Sequence, residues 1–194
     1  MRRCHPPRRH LPGALTRNRG RGWTQFTGLQ IEYSLIERTV ERELIPMSKA
    51  LNLGVLAWSP LAKGVLSGKY HGEGKADGGR MSNEGMKEFL PEEQRAARII
   101  SAVKAVSEQV GRSMAQVALA WLRHQTVPVI PIIGARKVSQ LQDNLGSLDL
   151  VLSAEQLKSL YEASQIELGF PHSIYEKEMA RALRYGGVWD RLLL

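Results

Sequence analysis

Residues 54–64 read Gly-Val-Leu-Ala-Trp-Ser-Pro-Leu-Ala-Lys-Gly, and the change of texture half-way along this stretch decides the fold. Val55-Leu56-Ala57-Trp58 is a short apolar strand, and Ser59-Pro60 stops it. Upstream, Leu29-Gln30-Ile31-Glu32-Tyr33 alternates in the manner of a second short strand. Between the two, Thr39 stands where it can cap a helix through Val40, Leu44, Met47 and Leu51, with Gly54 as its closing glycine. Downstream, a Gly-rich and charged stretch from about Gly72 to Glu88 reads as a long loop, the kind that often serves as a lid or binding loop.

Helical texture resumes at Pro91-Glu92-Glu93, with Ile99, Ile100, Val103 and Val106 as its apolar face and Gly111 as its end. Ser113-Met114-Ala115-Gln116 is a capping-box pattern ahead of a buried helix through Val117–Leu122. Val127–Ile133 (VPVIPII) is an apolar strand weakened by Pro128 and Pro131. A short helix over Lys137–Leu145 follows. Ser153-Ala154-Glu155-Gln156 is a second capping box, opening a helix through Leu157, Leu160 and Tyr161. The end, Gly169–Leu194, reads as irregular or weakly helical. The order strand–helix–strand–loop–helix–helix–strand–helix–helix predicts right-handed βαβ units and a parallel sheet. Ligands of such sheets bind beyond the carboxyl ends of the strands. That directs attention to Gln30–Ser34, Trp58–Gly64 and Gly134–Asn144.

The chain has 194 residues, enough for one sizeable core, and a formal net charge of +8. The charge is concentrated in residues 1–22, which hold seven of the 27 Lys and Arg residues and none of the 19 acidic ones. The remainder is balanced, which removes most of the electrostatic case for a nucleic-acid partner. Residues 1–22 are Arg/Pro/Gly-rich and read as a disordered tail ahead of a domain over 23–194. A nucleic-acid arm, a transit peptide and a regulatory tail compete for the tail; Pro6-Pro7 and Pro12-Gly13 spoil a transit helix. The plainest reading is a misassigned start or an out-of-frame stretch joined near Gly22. Cys4 is the single cysteine, so a cysteine-based metal site and an internal disulfide are excluded and a reducing, cytoplasmic setting is expected. No apolar run reaches the ~18 residues of a membrane span.

Three constellations could carry chemistry. Trp58 at a strand end offers a flat face for a heteroaromatic ring, and Ser59-Pro60-Leu61-Ala62-Lys63-Gly64 could aim a hydroxyl and N–H groups at a phosphate; a core tryptophan before an ordinary turn is the plain alternative. Gly134 permits close approach to backbone, Arg136 sits ahead of a helix where an anion could bind, and Gln140 and Asn144 share a helix face. Here the alternative is a solvated helix face. Gln30 and Glu32 point to one side of the first strand, as a binding pair or as a solvated edge.

The segments LQIEYSLIERTVERELIP, LGVLAWSPLAKGVLSGKY, AQVALAWL and VIPIIGARKVSQLQDNLGSLDLVLS, from about Gly22 to about Pro171, together resemble the later half of the aldo-keto reductase family. The SGKY loop and the GFPHSIY segment resemble its potassium-channel β-subunit-like and bacterial branch. The resemblance implies an α/β fold: the C-terminal part of a (β/α)8 barrel, about strands six to eight with their helices. It implies hydride transfer from NADPH to an aldehyde or ketone. Gln30 would hold the nicotinamide carboxamide and Trp58 would stack on its ring. Ser59, Leu61, Ala62 and Gly64 would line the pyrophosphate, with Pro60 among them in the cofactor site and Lys69 and Arg80 reaching over the phosphates. Arg136 would meet the ribose 2′-phosphate, with Gly134 beside it in the cofactor site, while Gln140, Asp143 and Asn144 would contact the adenosine end. Lys63 replaces a residue that is commonly small in the family.

The same resemblance places the family's catalytic Asp, Tyr, Lys and His in the first half of the barrel, so no catalytic residue is assigned in this chain. Turnover by the isolated chain is expected to be weak or nil, because general acid catalysis alone is typically worth ~10²–10⁴-fold. Three strands do not close a barrel, so marginal stability or self-association through open sheet edges is expected, with the inward faces of Val55, Ala57, Val129 and Ile132 left without partners. The contrasting reading is a non-enzymatic interaction module that uses the open sheet and the basic tail.

Overall fold

Residues that alternate along three short strands give the sheet two unlike faces. A computed structural model describes residues 20–68, 93–175 and 178–186. In β1 (Gly28–Glu32), Leu29 and Ile31 are buried while Gln30 is exposed. In β2 (Gly54–Trp58), Val55 and Ala57 are buried, with Leu56 and Trp58 half-buried. In β3 (Val129–Pro131), Val129 is buried and Ile130 exposed. The strands pair in parallel in the order β1-β2-β3, with Gln30 opposite Leu56, Glu32 opposite Trp58 and Leu56 opposite Ile130.

Strands that follow one another in sequence order, with the described helical core on one face, form a singly wound α/β sheet. A doubly wound sheet would reverse its strand order and cover both faces. The covered face packs Leu29, Ile31, Val55, Ala57 and Val129 against Ile99, Val103 and Val106 of α2 (Glu93–Val110), Val117 and Leu122 of α3 (Met114–Arg123) and Leu160 of α5 (Ala154–Ser164). α1 (Leu44–Ala50) connects β1 to β2, and α4 (Val138–Leu145) follows β3. Two short helices, α6 (His172–Tyr175) and α7 (Glu178–Tyr185), end the described chain.

This register corrects the expected orientation of the strands. Val55 and Ala57 are 0% exposed and Val129 is buried, all facing the helices; Ile132 alone of the four lies open, at 41%. The open face is instead Gln30, Leu56, Trp58 and Ile130. With a period of two, assigning Val55 to the wrong side flips every neighbour with it.

The helix expected from Thr39 to Leu51 is also divided. Thr39–Arg42 is a single 3₁₀ turn, Glu43 leaves helical geometry at φ −141°, and α1 starts only at Leu44. Pro46 explains the break. It has no N–H, and its ring would collide with the carbonyl four residues back, so it is tolerated only in a first turn. The Arg42 carbonyl that a continuous helix would have directed at residue 46 accepts instead from a His172 ring N–H, at 2.9 Å. Thr39 is no cap, because its hydroxyl bonds Glu37, and Gly54 opens β2 rather than closing the helix.

The two expected capping boxes differ. That of Ser153 is complete, with Gln156 Oε1 accepting from Ser153 N at 2.9 Å. Ser113 forms only half of one: its hydroxyl accepts from Gln116 N at 3.1 Å, but the Gln116 side chain turns away to Asp143. β3 is shorter than the apolar run that contains it. Pro128 serves the ladder through its carbonyl, which accepts from Val55 N at 2.9 Å, and Pro131 sits in an outermost strand of the sheet, where a missing N–H is tolerated.

Candidate functional site

Neighbouring strands that run in parallel put their carboxyl ends on one rim. Trp58 is the last residue of β2, on the open face, and Gln30 lies on that face one strand over. Ile132 donates its N–H to Ala57 O at 2.8 Å. The chain after β2 and the chain after β3 (Gly134-Ala135-Arg136) therefore leave from adjacent points of this rim.

The turn after Trp58 is strained. Ser59, Ala62 and Lys63 hold φ of 54°, 46° and 58°, a left-handed conformation that costs a residue with a Cβ roughly 1–2 kcal/mol. Burial holds it there: Val65 is 3% exposed and Leu66 0%, and Leu66 donates to Leu61 O at 3.2 Å. Gly64, at φ 98°, lies where only glycine sits comfortably. Its carbonyl accepts from Ser67 Oγ at 2.6 Å. Two of its N–H groups close the turn on itself, Ala62 N to Ser59 O at 2.8 Å and Gly64 N to Leu61 O at 2.9 Å. Pro60 is buried beneath the turn. Backbone strain of this kind gathers where a ligand is held, because the surrounding packing must over-determine it.

On the β3 side, Gly134 and Arg136 are exposed. Gln140 Oε1 accepts from Arg136 N at 2.9 Å, which fixes the approach to α4. Gln140 is half-buried and Asn144 6% exposed. Asp143 is tied to the start of α3. Ser113 Oγ donates to its Oδ2 at 2.8 Å, and Gln116 Nε2 donates to its Oδ1 at 3.0 Å and its carbonyl at 2.8 Å. Its negative charge thus sits at the N-terminus of α3, where the helix dipole favours it. Gly146 makes room for this junction: a Cβ there would lie 2.5 Å from Gln116 Nε2. Lys69 and Arg80 lie outside the described residues, as do most of the basic tail and the long loop.

Sequence reasoning missed a buried network on the helix side of this rim. Arg38 is 1% exposed and clamps Glu41 with Nε to Oε1 and Nη2 to Oε2, both 2.8 Å. Its Nη1 donates to Ser164 Oγ at 2.7 Å and Tyr161 O at 3.1 Å. The guanidinium lies 4.3 Å from the Tyr161 ring centre and 5.4 Å from that of Trp121. Tyr33, 0% exposed, points its hydroxyl at Glu41 Oε1 (2.8 Å) and Gln125 Oε1 (2.9 Å). Burial, reinforced by the Glu41 carboxylate, holds that phenol protonated far above its ordinary range. The Arg38–Glu41 spacing of three was the available signal, but it reads equally well as a surface pair.

Arg95 and Arg98 add to the same corner, donating to Ser164 O at 2.9 Å and Ala163 O at 3.0 Å. With Arg38 they put three guanidiniums on the last carbonyls of α5, the negative end of its dipole. Among the described residues no group of three or more His, Cys, Asp or Glu side chains is placed to hold a metal, and no helix is long and apolar enough to cross a membrane.

A profile of the Aldo/keto reductase family matches residues 15–165, most of the chain and including the whole rim. The chain belongs to the aldo/keto reductase family. Its match begins inside the Arg-rich stretch, upstream of Gly22, where the resemblance by motif starts. The chain is 38% identical over 139 residues to the uncharacterized oxidoreductase YrpG of Bacillus subtilis (strain 168), covering 70% of this chain and 40% of that protein. It is 30% identical over 174 residues to the aldo-keto reductase ausK of Aspergillus calidoustus, covering 88% of this chain and 43% of that protein. The chain thus spans about two fifths of the length of these relatives. Family membership implies a (β/α)8 architecture, of which the described sheet has three parallel strands.

Proposed function

We propose that this polypeptide forms the NADP(H)-holding part of an aldo/keto reductase, made of about the last three barrel strands and their helices. The observation that carries the proposal is Trp58 on the open face at the carboxyl end of β2, followed at once by the strained Ser59–Gly64 turn. The donor set fits a dinucleotide phosphate. It combines an aromatic plane and an amide (Gln30) on one face, a turn with a hydroxyl, and Arg136 on the adjoining strand exit. The inward turn of Asp143 keeps a carboxylate away from where phosphates would lie. Gln30 and Trp58 would orient the nicotinamide, Ser59, Pro60, Leu61, Ala62 and Gly64 would follow the pyrophosphate, and Lys69 and Arg80 would extend this over the phosphates. Gly134 and Arg136 would receive the 2′-phosphate, with Gln140 and Asn144 at the adenosine end. When bound, NADPH supplies the hydride that reduces an aldehyde or ketone. The family's Asp, Tyr, Lys and His have no counterparts in their motif contexts here, so the chain's own part is binding and orientation.

Titration with NADPH tests this. Quenching of tryptophan emission, lost in Trp58→Phe and weakened in Arg136→Ala, is expected; emission indifferent to NADPH overturns the proposal. The open face, and outer edges of β1 and β3 that pair with no other strand among the described residues, support a second reading, self-association: Ile130 is 61% exposed. Sedimentation that gives a single monomeric species at all concentrations removes it.

A further inference from the structure

We infer that Tyr33 is a positioning residue for the Trp58 plane, acting across the sheet from the side opposite the ligand. The inference rests on the cofactor reading above and deepens it. Tyr33 N donates to Trp58 O at 3.4 Å, the last bond between the β1 and β2 chains before the rim opens. A bond of that length is weak on its own and persists only if both backbones are held by something else.

On the β1 side the holding groups are evident. The Tyr33 side chain points away from the open face into the helix layer, with its ring edge on Trp121 at 5.5 Å and 66°. Its hydroxyl has one proton and two acceptors, Glu41 Oε1 and Gln125 Oε1, and the carboxylate is the stronger of the two. Glu41 is fixed in turn by the forked Arg38, and Arg38 by α5. Just beyond, Ser34 Oγ accepts from Ile36 N at 3.2 Å and Glu37 N at 3.0 Å, so the chain leaving β1 is also tied. The end of β1 is therefore anchored to α3 and α5, and the Tyr33 N–H carries that anchorage forward to the carbonyl of Trp58. Loosening the phenol would let the Trp58 backbone, and with it the ring, drift by the small distances that matter for stacking.

Tyr33→Phe keeps the ring and removes the anchor. Two ligands separate positioning from general support: NADPH, which would use Trp58, and adenosine 2′,5′-bisphosphate, which has no nicotinamide. The expected result is a several-fold loss of NADPH affinity with bisphosphate affinity unchanged, together with faster exchange of the residue 33 amide relative to those of Leu29 and Ile31. Equal weakening of both ligands, or neither affected, overturns the inference. Gln125→Ala, which leaves the Tyr33–Glu41 bond in place, should keep NADPH affinity closer to wild type than Tyr33→Phe does; the reverse order also overturns it. If the wild-type chain binds neither ligand, the cofactor reading falls. Amide exchange at residue 33 then decides the anchoring claim alone, and unchanged exchange sinks it.

Discussion

Replacing Arg38 by methionine should be among the most damaging single changes available in this chain. Methionine fills much of the volume of the arginine stem but removes every charged contact. The Glu41 carboxylate, 18% exposed, would lose both guanidinium bonds and keep only the Tyr33 hydroxyl. Tyr161 O would lose its 3.1 Å guanidinium donor and keep only the longer Ser164 Oγ contact at 3.4 Å, whereas Ser164 Oγ retains its bond to Leu160 O at 2.6 Å. Breaking one side of a buried pair costs about 3–5 kcal/mol, because the other charge stays desolvated and uncompensated. Against a total of about 5–15 kcal/mol for ordinary domains, that is a large fraction. With a urea slope of about 2 kcal/mol per molar, the midpoint should fall by about 2 M. The assay is urea unfolding followed by the helical circular dichroism signal, at two protein concentrations to separate association from folding. The paired change Arg38→Met with Glu41→Leu should recover most of the loss, since no lone charge remains. A single variant costing under about 1 kcal/mol would refute the argument, as would a double variant no better than the single.

Alkaline pH probes the other end of the same network. The phenol of Tyr33 stays protonated in the folded chain while an unfolded tyrosine ionises near pH 10. The folded state then binds more protons, so stability should be complete below about pH 10 and fall by about 1.4 kcal/mol per unit above it, a slope absent in Tyr33→Phe; urea midpoints between pH 9 and 11 check this. Gly146→Ala should destabilise by about 1–3 kcal/mol, because the new methyl must displace the Gln116 amide from Asp143; calorimetry of the pair Gly146→Ala and Gln116→Ala should show non-additivity. Ser59→Gly should raise the urea midpoint slightly, since relief of about 1–2 kcal/mol of left-handed strain outweighs the entropy of a new glycine; a lowered midpoint would refute the strain argument.

The legible parts of the fold were those with strong local signals. β1, β2, the apolar face of α2 and the glycine stop at Gly111 all follow from periodicity and one special residue each, and Gly111 does hold φ 62°. Serine caps at Ser113 and Ser153 were equally local. What sequence did not disclose were choices made by tertiary partners. The side of the sheet on which Val55 and Ala57 lie depends on where the helices pack, and an apolar run carries no label for that. Gln116 abandoned its capping box because Asp143, 27 positions later, offered better bonds. Arg38 looked like one of several surface charges in ERTVERE, yet it is buried because Tyr161 and Ser164 come to it from more than 120 positions away. The candidate site was legible as a rim, from the rule that parallel sheets bind beyond their strand ends, but the direction of each side chain on it was not.

The two faces of the strands divide the work, and that division is what a candidate site on so short a sheet requires. Residues facing the helices carry the packing: Tyr33, Val55 and Ala57 are each fully buried, and a buried apolar side chain is worth about 1.5–3 kcal/mol. Residues on the open face, Gln30, Leu56, Trp58 and Ile130, contribute far less to the described core, so their identity can answer to a ligand rather than to packing. The strained turn belongs to the same economy. Three non-glycine residues in left-handed geometry are sustainable only because Val65 and Leu66 anchor the next turn in the core. If the open face were itself a load on stability, Gln30→Ala and Trp58→Ala would each cost as much as Val55→Ala. The expectation from burial is the opposite: Val55→Ala should lower the unfolding free energy by about 2–3 kcal/mol and Gln30→Ala by less than about 0.5 kcal/mol.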